Sequence, residues 1–186
     1  CGLSAIEEAR RIAFKLDIPH YVMNFREVFQ KNVIDYFVSE YQKGRTPNPC
    51  IACNRYVKWE ALLQNSKKIG ADFIATGHYA EIVKHPKTQR YTLKCRDENK
   101  KDQTYVLYNL TQEQLQYTLM PIGGSQKEVI RKIAEQIDIN ISKKPDSQEI
   151  CFIPDNDYSG FIQRETTKTY PAGNFVDLDG NVLGKH

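Results

Sequence analysis

The sequence predicts an α/β fold, with a parallel sheet and helices on its faces. Segments with helical periodicity alternate with short apolar segments that glycine or proline bounds. Strand, helix and strand in this order are typical of a parallel sheet, whose crossover connections are helices. The chain has 186 residues, 40% of them hydrophobic, which is enough to bury a core.

Bulk composition narrows the possible functions. No apolar run approaches the roughly 20 residues that a membrane-spanning helix needs, so no membrane association is expected. The net charge of +3 does not by itself indicate nucleic-acid binding, so any basic patch must be local. Five cysteines without an even, closely spaced framework favour a reducing, cytoplasmic location.

Two amphipathic helices are predicted before residue 44. The first begins at a capping box of Ser4 and Glu7 and has a single apolar face, formed by Ile6, Ala9, Ile12, Ala13 and Leu16. A short strand is expected at residues 20–23, after a proline. The second helix then follows from apolar residues near helical spacing: Phe25, Phe29, Val33, Phe37 and Tyr41.

Residues 44–55 are the most informative stretch of the chain. Two prolines exclude a helix through its first half, so a stiff, extended loop is expected there. The loop ends in Cys50 and Cys53, with C-x-x-C spacing. Asn54 is expected to cap a helix that begins at Arg55, which would place Cys53 beside a helix N-terminus.

The surroundings of Cys53 predict a reactive thiol. Four cations lie close to it in the sequence: Lys43, Arg45, Arg55 and Lys58. Nearby cations and a helix N-terminus both stabilise a thiolate and so lower the pKa of the thiol. We therefore expect nucleophilic chemistry at Cys53 and an anionic substrate.

A strand and a hairpin are predicted after the cysteine stretch. Gly70 is expected to end the third helix, and a short strand follows at residues 72–76. Gly77 comes directly after this strand, where ligands of open α/β sheets bind, so a nucleotide could approach its backbone closely. Residues 79–96 are expected to form a hairpin with its turn at residues 87–89.

The last third of the chain contains further helices and a second hairpin. Capping boxes that begin at Thr111 and Ser125 predict two helices. The polar segment at residues 142–149 is expected to be a mobile surface loop that leads to Cys151, in a short apolar strand. A hairpin around Gly180 is predicted near the end of the sequence.

Five segments, in order, resemble the motifs of the tRNA-specific 2-thiouridylases, sulfurtransferases that thiolate the wobble uridine of tRNA. They are residues 44–55, 75–79, 101–105, 129–135 and 146–153. The resemblance spans nearly the whole chain and implies a Rossmann-like adenine nucleotide α-hydrolase (ATP-pyrophosphatase) sheet with flanking helices, followed by the start of a small β domain.

The resemblance also implies a division of the chain. Residues 1–157 would be a partial catalytic domain, with a helical segment at 111–140, and residues 158–186 would be the truncated start of the central β domain. The Ser-Gly-Gly-x-Asp-Ser phosphate loop and the C-terminal β-barrel of the family do not occur in this sequence. We therefore expect either that the gene is longer than this sequence or that the fragment is non-functional.

The family's chemistry implies roles for particular residues. Cys53 would be the nucleophile and Cys151 the carrier of a persulfide, with a transient disulfide between them. ATP, with Mg²⁺, would be the cofactor, and Gly77 would contact ATP. The partners would be tRNA and a sulfur-relay donor protein or cysteine desulfurase. The implied tRNA contacts are Asn48, Pro49, Cys50, Lys101, Asp102 and Gln103.

Alternatives remain at this stage. Family members usually have Asp where Cys50 stands, and the acid–base role assigned to that carboxylate is therefore in doubt here. Cys50 and Cys53 could instead be half of a zinc site in a non-catalytic RNA-binding module, which metal analysis would reveal. They could also form a thioredoxin-like redox pair. A further alternative is another ATP-pyrophosphatase tRNA thiolase, one that makes 2-thiocytidine or 4-thiouridine.

Overall fold

Helices are the most abundant secondary structure of the computed structural model, which describes residues 3–95, 101–137, 149–168 and 171–185. The helices are α1 (Leu3–Lys15), α2 (Arg26–Phe29, Gln30–Ile34 and Asp35–Gln42), α3 (Pro49–Ala52, Cys53–Leu62 and Leu63–Lys68), α4 (Gln112–Gln116), α5 (Lys127–Gln136) and α6 (Tyr158–Glu165). The middle segments of α2 and α3 are π-helical. A short 3₁₀ turn lies at Thr104–Val106.

The described strands form three two-stranded sheets. They are β1 (Ile74–Ala75), β2 (Glu81–Lys84), β3 (Tyr91–Lys94), β4 (Thr118–Leu119), β5 (Asn174–Val176) and β6 (Val182–Lys185). β1 pairs with β4 in parallel, and the chain between them contains a hairpin, the 3₁₀ turn and α4. This pairing, with flanking helices, confirms the predicted α/β class.

Both predicted hairpins are present. β2 pairs with β3 and β5 pairs with β6, each in antiparallel register. Gly180 lies in the turn of the second hairpin with a φ of 86°, a conformation that glycine adopts without steric cost. Gly70 follows α3 with a φ of 85°, which confirms the predicted end of that helix.

The strand expected at residues 20–23 is wrong. These residues are assigned to no sheet among the described part of the chain, and Tyr21 and Val22 are 71% and 59% exposed. An apolar segment becomes a strand only where a neighbouring strand satisfies its backbone groups. Since none of the three described sheets includes the segment, its apolar composition alone does not make it a strand.

Of the three predicted capping boxes, one caps its helix in the structure. The capping box of Thr111 is confirmed at α4, where its hydroxyl accepts the backbone N–H of Gln114. The prediction for Ser125 is wrong, because its N–H donates to Ile122 O within the preceding turn and Gln126 is the N-cap of α5. Ser4 lies inside α1 and does not cap it.

One hydrophobic core lies around Trp59 of α3, which is 1% exposed. Its buried members are Trp59, Leu63, Ile74, Ala80, Val106 and Leu107. The indole N–H of Trp59 donates to Thr118 Oγ1 at 2.7 Å, and this hydroxyl donates to Gln114 O at 2.7 Å. The network ties α3 to the parallel strand pair, so the position of α3 is fixed relative to the end of β1.

A second, largely aromatic cluster joins α2 to α6. Its buried members are Phe37, Val38, Ile153 and Phe161. Phe37 meets Phe161 at a ring-centroid distance of 6.3 Å and Phe152 at 5.4 Å. Edge-to-face contacts of this kind add to the energy gained by burial. The segment that contains Phe152 and Ile153 is therefore anchored to α2.

Candidate functional site

The helix that contains Cys50 and Cys53 begins earlier than predicted. α3 begins at Pro49, and the side-chain oxygen of Asn48 accepts the N–H of Cys50 at 3.0 Å. Proline suits the first helical position because its missing N–H has no partner there in any case. The prediction that Asn54 is the cap is wrong. Asn54 is 2% exposed inside the helix, where its amide donates to Val106 O at 3.4 Å.

This earlier start changes the positions of both thiols. Cys50 lies in the first turn of α3 and is exposed, whereas Cys53 begins the π-helical segment and is partly buried. The helix N-terminus therefore lies beside Cys50 and a full turn before Cys53. Stabilisation of a thiolate by the helix dipole falls off within the first turn, so Cys53 gains little from it.

Most of the predicted cationic surroundings are engaged elsewhere. Lys43 and Arg45 both contact Glu40, with Nζ to Oε1 at 3.0 Å and Nε to Oε2 at 2.6 Å. Hydrogen bonds from Arg45, and then from Lys43, lower the pKa of Glu40 to about 2. Arg55 lies 3.8 Å from Glu60, measured from Nε to Oε1. Of the four cations, Lys58 is the one whose charge acts on the thiols.

The predicted low pKa of Cys53 is wrong for this structure. Burial raises the pKa of Cys53, and the charge of Lys58 only partly opposes that effect. Burial likewise raises the pKa of Cys151. Desolvation disfavours the charged thiolate, and its magnitude depends on tertiary packing that local sequence does not reveal. At rest, both groups are therefore held towards the neutral thiol.

The fold brings three cysteines into one electrostatic neighbourhood. The pKa of Cys53 responds to Cys151 and to Cys50, and the pKa of Cys151 responds to Cys50. All three are free thiols. Cys95 is also a free thiol and is exposed, on the segment that follows β3. Two residues from distant parts of the sequence, Cys53 and Cys151, thus lie close enough for their charges to interact.

Cys151 lies in a turn, and the short strand predicted there is wrong. Its neighbours Ile150, Phe152 and Ile153 pack into the cluster around Phe37, so side-chain burial and not strand pairing holds this segment. The loop expected at residues 142–149 lies outside the described residues except for its last position. Packing of these neighbours therefore holds the segment around Cys151 in place.

A histidine and a lysine complete the site at the end of β1. His78 is 8% exposed, its Nδ1 lies 2.9 Å from Thr76 Oγ1, and its Nε2 lies 3.5 Å from Lys58 Nζ. Because an ammonium can only donate, Nε2 accepts and the proton of the neutral ring is on Nδ1. Lys58 is among the cations predicted near Cys53, whereas no role was predicted for His78. The position of His78 just beyond a strand end was the available signal.

The pH dependence of stability should reflect the protonation of His78. Burial, and then the charge of Lys58, lower its pKa from 6.5 to about 4. Between these values the unfolded chain binds a proton that the folded chain does not, so stability falls as the pH falls. As the pH falls from 6.5 to about 4, we expect His78 to lower the free energy of unfolding by roughly 3 kcal/mol. Chemical denaturation of the wild type and of His78→Asn at several pH values measures it.

The control for this experiment is His85→Asn. His85 is exposed on the hairpin turn, where its ring accepts the N–H of Thr88. His78→Asn should flatten the slope of stability against pH, and by more than His85→Asn does. Equal slopes for the two variants would contradict the assignment of a buried, neutral His78.

The residues of the implied tRNA contacts occupy two places. Asn48, Pro49 and Cys50 form the start of α3, where Pro49 is buried and Cys50 is exposed. Asp102 accepts the N–H of Thr104 at 2.9 Å, and the side chain of Gln103 accepts the N–H of Tyr79 at 3.0 Å. Asn48 and Asp102 therefore stabilise their own loops, whereas Gln103 joins its segment to Tyr79.

Two further observations concern ligands and membranes. Among residues 3–95, 101–137, 149–168 and 171–185, no group of three or more His, Cys, Asp or Glu side chains has the arrangement of a metal site. In the same part of the chain, every helix is too short or too polar to cross a membrane.

Comparison with known proteins places this geometry in context. The family model described as "tRNA methyl transferase HUP domain" matches residues 1–155. The protein named tRNA-specific 2-thiouridylase MnmA from Lachnoclostridium phytofermentans is 62% identical over 186 residues, which is 100% of this chain and 52% of that protein. Proteins of the same name from Clostridium acetobutylicum and Clostridioides difficile are 56% and 55% identical over the same shares. The chain spans about half the length of these curated relatives.

Proposed function

Because this chain belongs to the tRNA methyl transferase HUP domain family, we propose that it is part of an ATP-dependent tRNA-uridine 2-sulfurtransferase. The observation that carries the proposal is the electrostatic interaction of Cys53 and Cys151, two thiols far apart in the sequence that the fold brings within range of each other's charge. Relatives that match all 186 residues bear the name tRNA-specific 2-thiouridylase.

The two thiols have distinct parts in the proposed sulfur transfer. Cys151 carries a persulfide, whose terminal sulfur attacks C2 of the wobble uridine and takes the place of the oxygen there. Cys53, as a thiolate, then attacks Sγ of Cys151. The bond between the two sulfurs of the former persulfide breaks, 2-thiouridine leaves with one sulfur, and a Cys53–Cys151 disulfide forms. A dithiol reductant returns both thiols, with two electrons for the one disulfide.

The cofactor site is proposed at Gly77, at the carboxyl end of β1. A Cβ added to Gly77 would meet only Ile122 Cδ1 at 3.8 Å, and its φ is not in the left-handed region. Neither packing nor backbone geometry requires glycine there, which fits a position left open for a ligand. ATP, bound with Mg²⁺, would supply the group that makes the C2 oxygen of uridine a leaving group.

The tRNA is proposed to lie over the start of α3 and over residues 101–103. Cys50 and Lys101 are exposed at these places, and the hairpin of β2 and β3 next to them carries several basic residues. The sulfur would come from a sulfur-relay protein or a cysteine desulfurase. A cytoplasmic location and the division at residue 157 remain part of this proposal.

Replacement of Lys101 tests the tRNA interface. In the full-length protein, Lys101→Ala should weaken tRNA binding and reduce the slope of log affinity against log salt by about one contact. Lys68→Ala, at the exposed C-terminal end of α3, is the matched control and should change neither quantity. An unchanged salt slope in Lys101→Ala would remove this lysine from the interface.

Nucleoside analysis tests the proposed function. Unmodified tRNA is incubated with the full-length protein, ATP, cysteine and a cysteine desulfurase, and is then digested and analysed by mass spectrometry. We expect 2-thiouridine at the wobble position, and only when ATP is present. Formation of 2-thiocytidine or 4-thiouridine would instead favour another thiolase. No thionucleoside from a protein that contains stoichiometric zinc would favour an RNA-binding module.

A further inference from the structure

Lys58 occupies an unusual position relative to Cys53. The two residues are five apart in the π-helical segment Cys53–Leu62. On an α-helix, side chains three or four apart are neighbours and side chains five apart diverge. A π-helix makes i→i+5 hydrogen bonds in a wider turn, which brings residues five apart closer to one side of the helix. The π-helical segment therefore turns Lys58 towards the side of α3 that carries Cys53.

The ammonium of Lys58 lies beside the ring of His78. Nζ lies 3.5 Å from Nε2 of this buried ring, which also contacts Thr76 Oγ1 and is tilted against Trp59 with centroids 5.4 Å apart. His78 is neutral near neutral pH, because its pKa is about 4. Since the ring adds no negative charge, it can orient the ammonium without cancelling its charge.

The charge of Lys58 acts on both thiols of the proposed reaction. Burial raises the pKa of both thiols. Lys58 is the main influence that lowers the pKa of Cys53, whereas it lowers the pKa of Cys151 by less than a backbone hydrogen bond there does. The other protein side chains that act on these thiols are cysteines: Cys50 and Cys151 raise the pKa of Cys53, and Cys50 raises the pKa of Cys151. Lys58 is therefore the side-chain cation common to the two thiols.

We propose that Lys58 is a positioning residue of this site, whose ammonium group stabilises the sulfur anion on Cys151 and then the sulfur anion on Cys53. The inference rests on the proposed function for its place in the reaction. The persulfide of Cys151 must be an anion to attack C2, and the thiol of Cys53 must be an anion to attack Sγ of Cys151. The Cys53 anion forms in partly buried surroundings, where a nearby cation has a larger effect than in water, whereas Cys151 is more exposed.

Thiol alkylation against pH tests Lys58 without tRNA or ATP. The reduced full-length protein is treated briefly with iodoacetamide over a range of pH, and mass spectrometry gives the rate for each cysteine. In Lys58→Met, the midpoints for Cys53 and Cys151 should both move to higher pH. A shift of about one unit lowers the thiolate fraction near neutral pH about tenfold. Lys58→Arg should retain the wild-type midpoints, and Lys58→Gln should behave like Lys58→Met.

Two internal standards separate an electrostatic role from a structural one. The midpoint for Cys95, which lies outside the site, should be the same in every variant, and Lys68→Met should leave all midpoints unchanged. The pKa of His78, followed by nuclear magnetic resonance, should rise in Lys58→Met because a neighbouring positive charge is lost. Unchanged midpoints for Cys53 and Cys151 in both neutral variants would overturn the inference, whatever the outcome of the tRNA assay.

Discussion

Replacement of Cys53 or Cys151 by serine should abolish tRNA thiolation by the full-length protein, with losses on the order of a thousandfold or more. Serine cannot carry a persulfide and cannot form the disulfide that releases sulfur to the uridine. Both cysteines lie at positions where a hydroxyl is tolerated, since Cys151 is exposed and Cys53 is only partly buried. Single-turnover measurement of 2-thiouridine formation gives the effect on the chemical steps.

The remaining cysteines provide matched controls. Cys95→Ser should have no effect, because Cys95 lies outside the group of interacting thiols. Cys50→Ser should reduce turnover less than Cys53→Ser, because Cys50 influences both thiols but forms no bond in the proposed transfer. If Cys50→Ser were inactive and Cys53→Ser active, the nucleophile would have to be reassigned to Cys50.

Gly123→Ala should be among the most destabilising single substitutions in the chain. A Cβ on Gly123 would overlap the backbone carbonyl of Ala80, which is a buried member of the core around Trp59. The obstacle is backbone and not the end of a flexible side chain, so either the loop or the start of β2 must move. We expect a loss of about 3 kcal/mol in the free energy of unfolding, measured by urea denaturation.

Gly77→Ala is the matched control for this substitution. Its added Cβ meets only Ile122 Cδ1 at 3.8 Å, an ordinary contact, so stability should change by less than about 0.5 kcal/mol. ATP binding by the full-length protein should nevertheless weaken if Gly77 faces the nucleotide. A stable Gly123→Ala variant would show that the loop and β2 pack less tightly than in this structure. Unchanged ATP affinity in Gly77→Ala would move the cofactor site elsewhere.

The sequence predicted those elements whose signals are local. Helical spacing located α1 and α2, the capping box of Thr111 located the start of α4, and Gly70 marked the end of α3. Each of these signals acts within a few residues, through backbone hydrogen bonds or a φ that only some residues adopt. A parallel sheet also followed from the predicted order of strands and helices, but β4, which pairs with β1, was not among the predicted strands.

The start of α3 shows how a local signal can have two meanings. Two prolines predict a break in the helix, yet Pro49 is the first residue of the helix and Asn48 is its cap. Proline breaks a helix only where its missing N–H or its ring conflicts with the preceding turn, and the first position has neither conflict. For the same reason, the predicted helix N-terminus lies beside Cys53, whereas the observed one lies beside Cys50.

The electrostatics of the site depended on contacts that the sequence does not contain. The sign of the pKa shift of Cys53 follows from burial, which is decided by packing between distant segments. Lys43 and Arg45 contact Glu40, while Lys58 reaches His78 at the end of a strand. Four cations lie near this thiol in the sequence, but in the fold only one of the four, Lys58, exerts its charge on it.

Disulfide mapping of the mildly oxidised protein is the most direct test of the central claim, that Cys53 and Cys151 are the working pair. The full-length protein would be oxidised under non-denaturing conditions, the remaining thiols blocked, and the cross-linked peptides identified by mass spectrometry. The account predicts a Cys53–Cys151 disulfide as the main product, which a mild dithiol reductant reverses, with Cys95 blocked as a free thiol. A Cys50–Cys53 disulfide as the main product, with Cys151 always free, would contradict the claim and favour a redox pair.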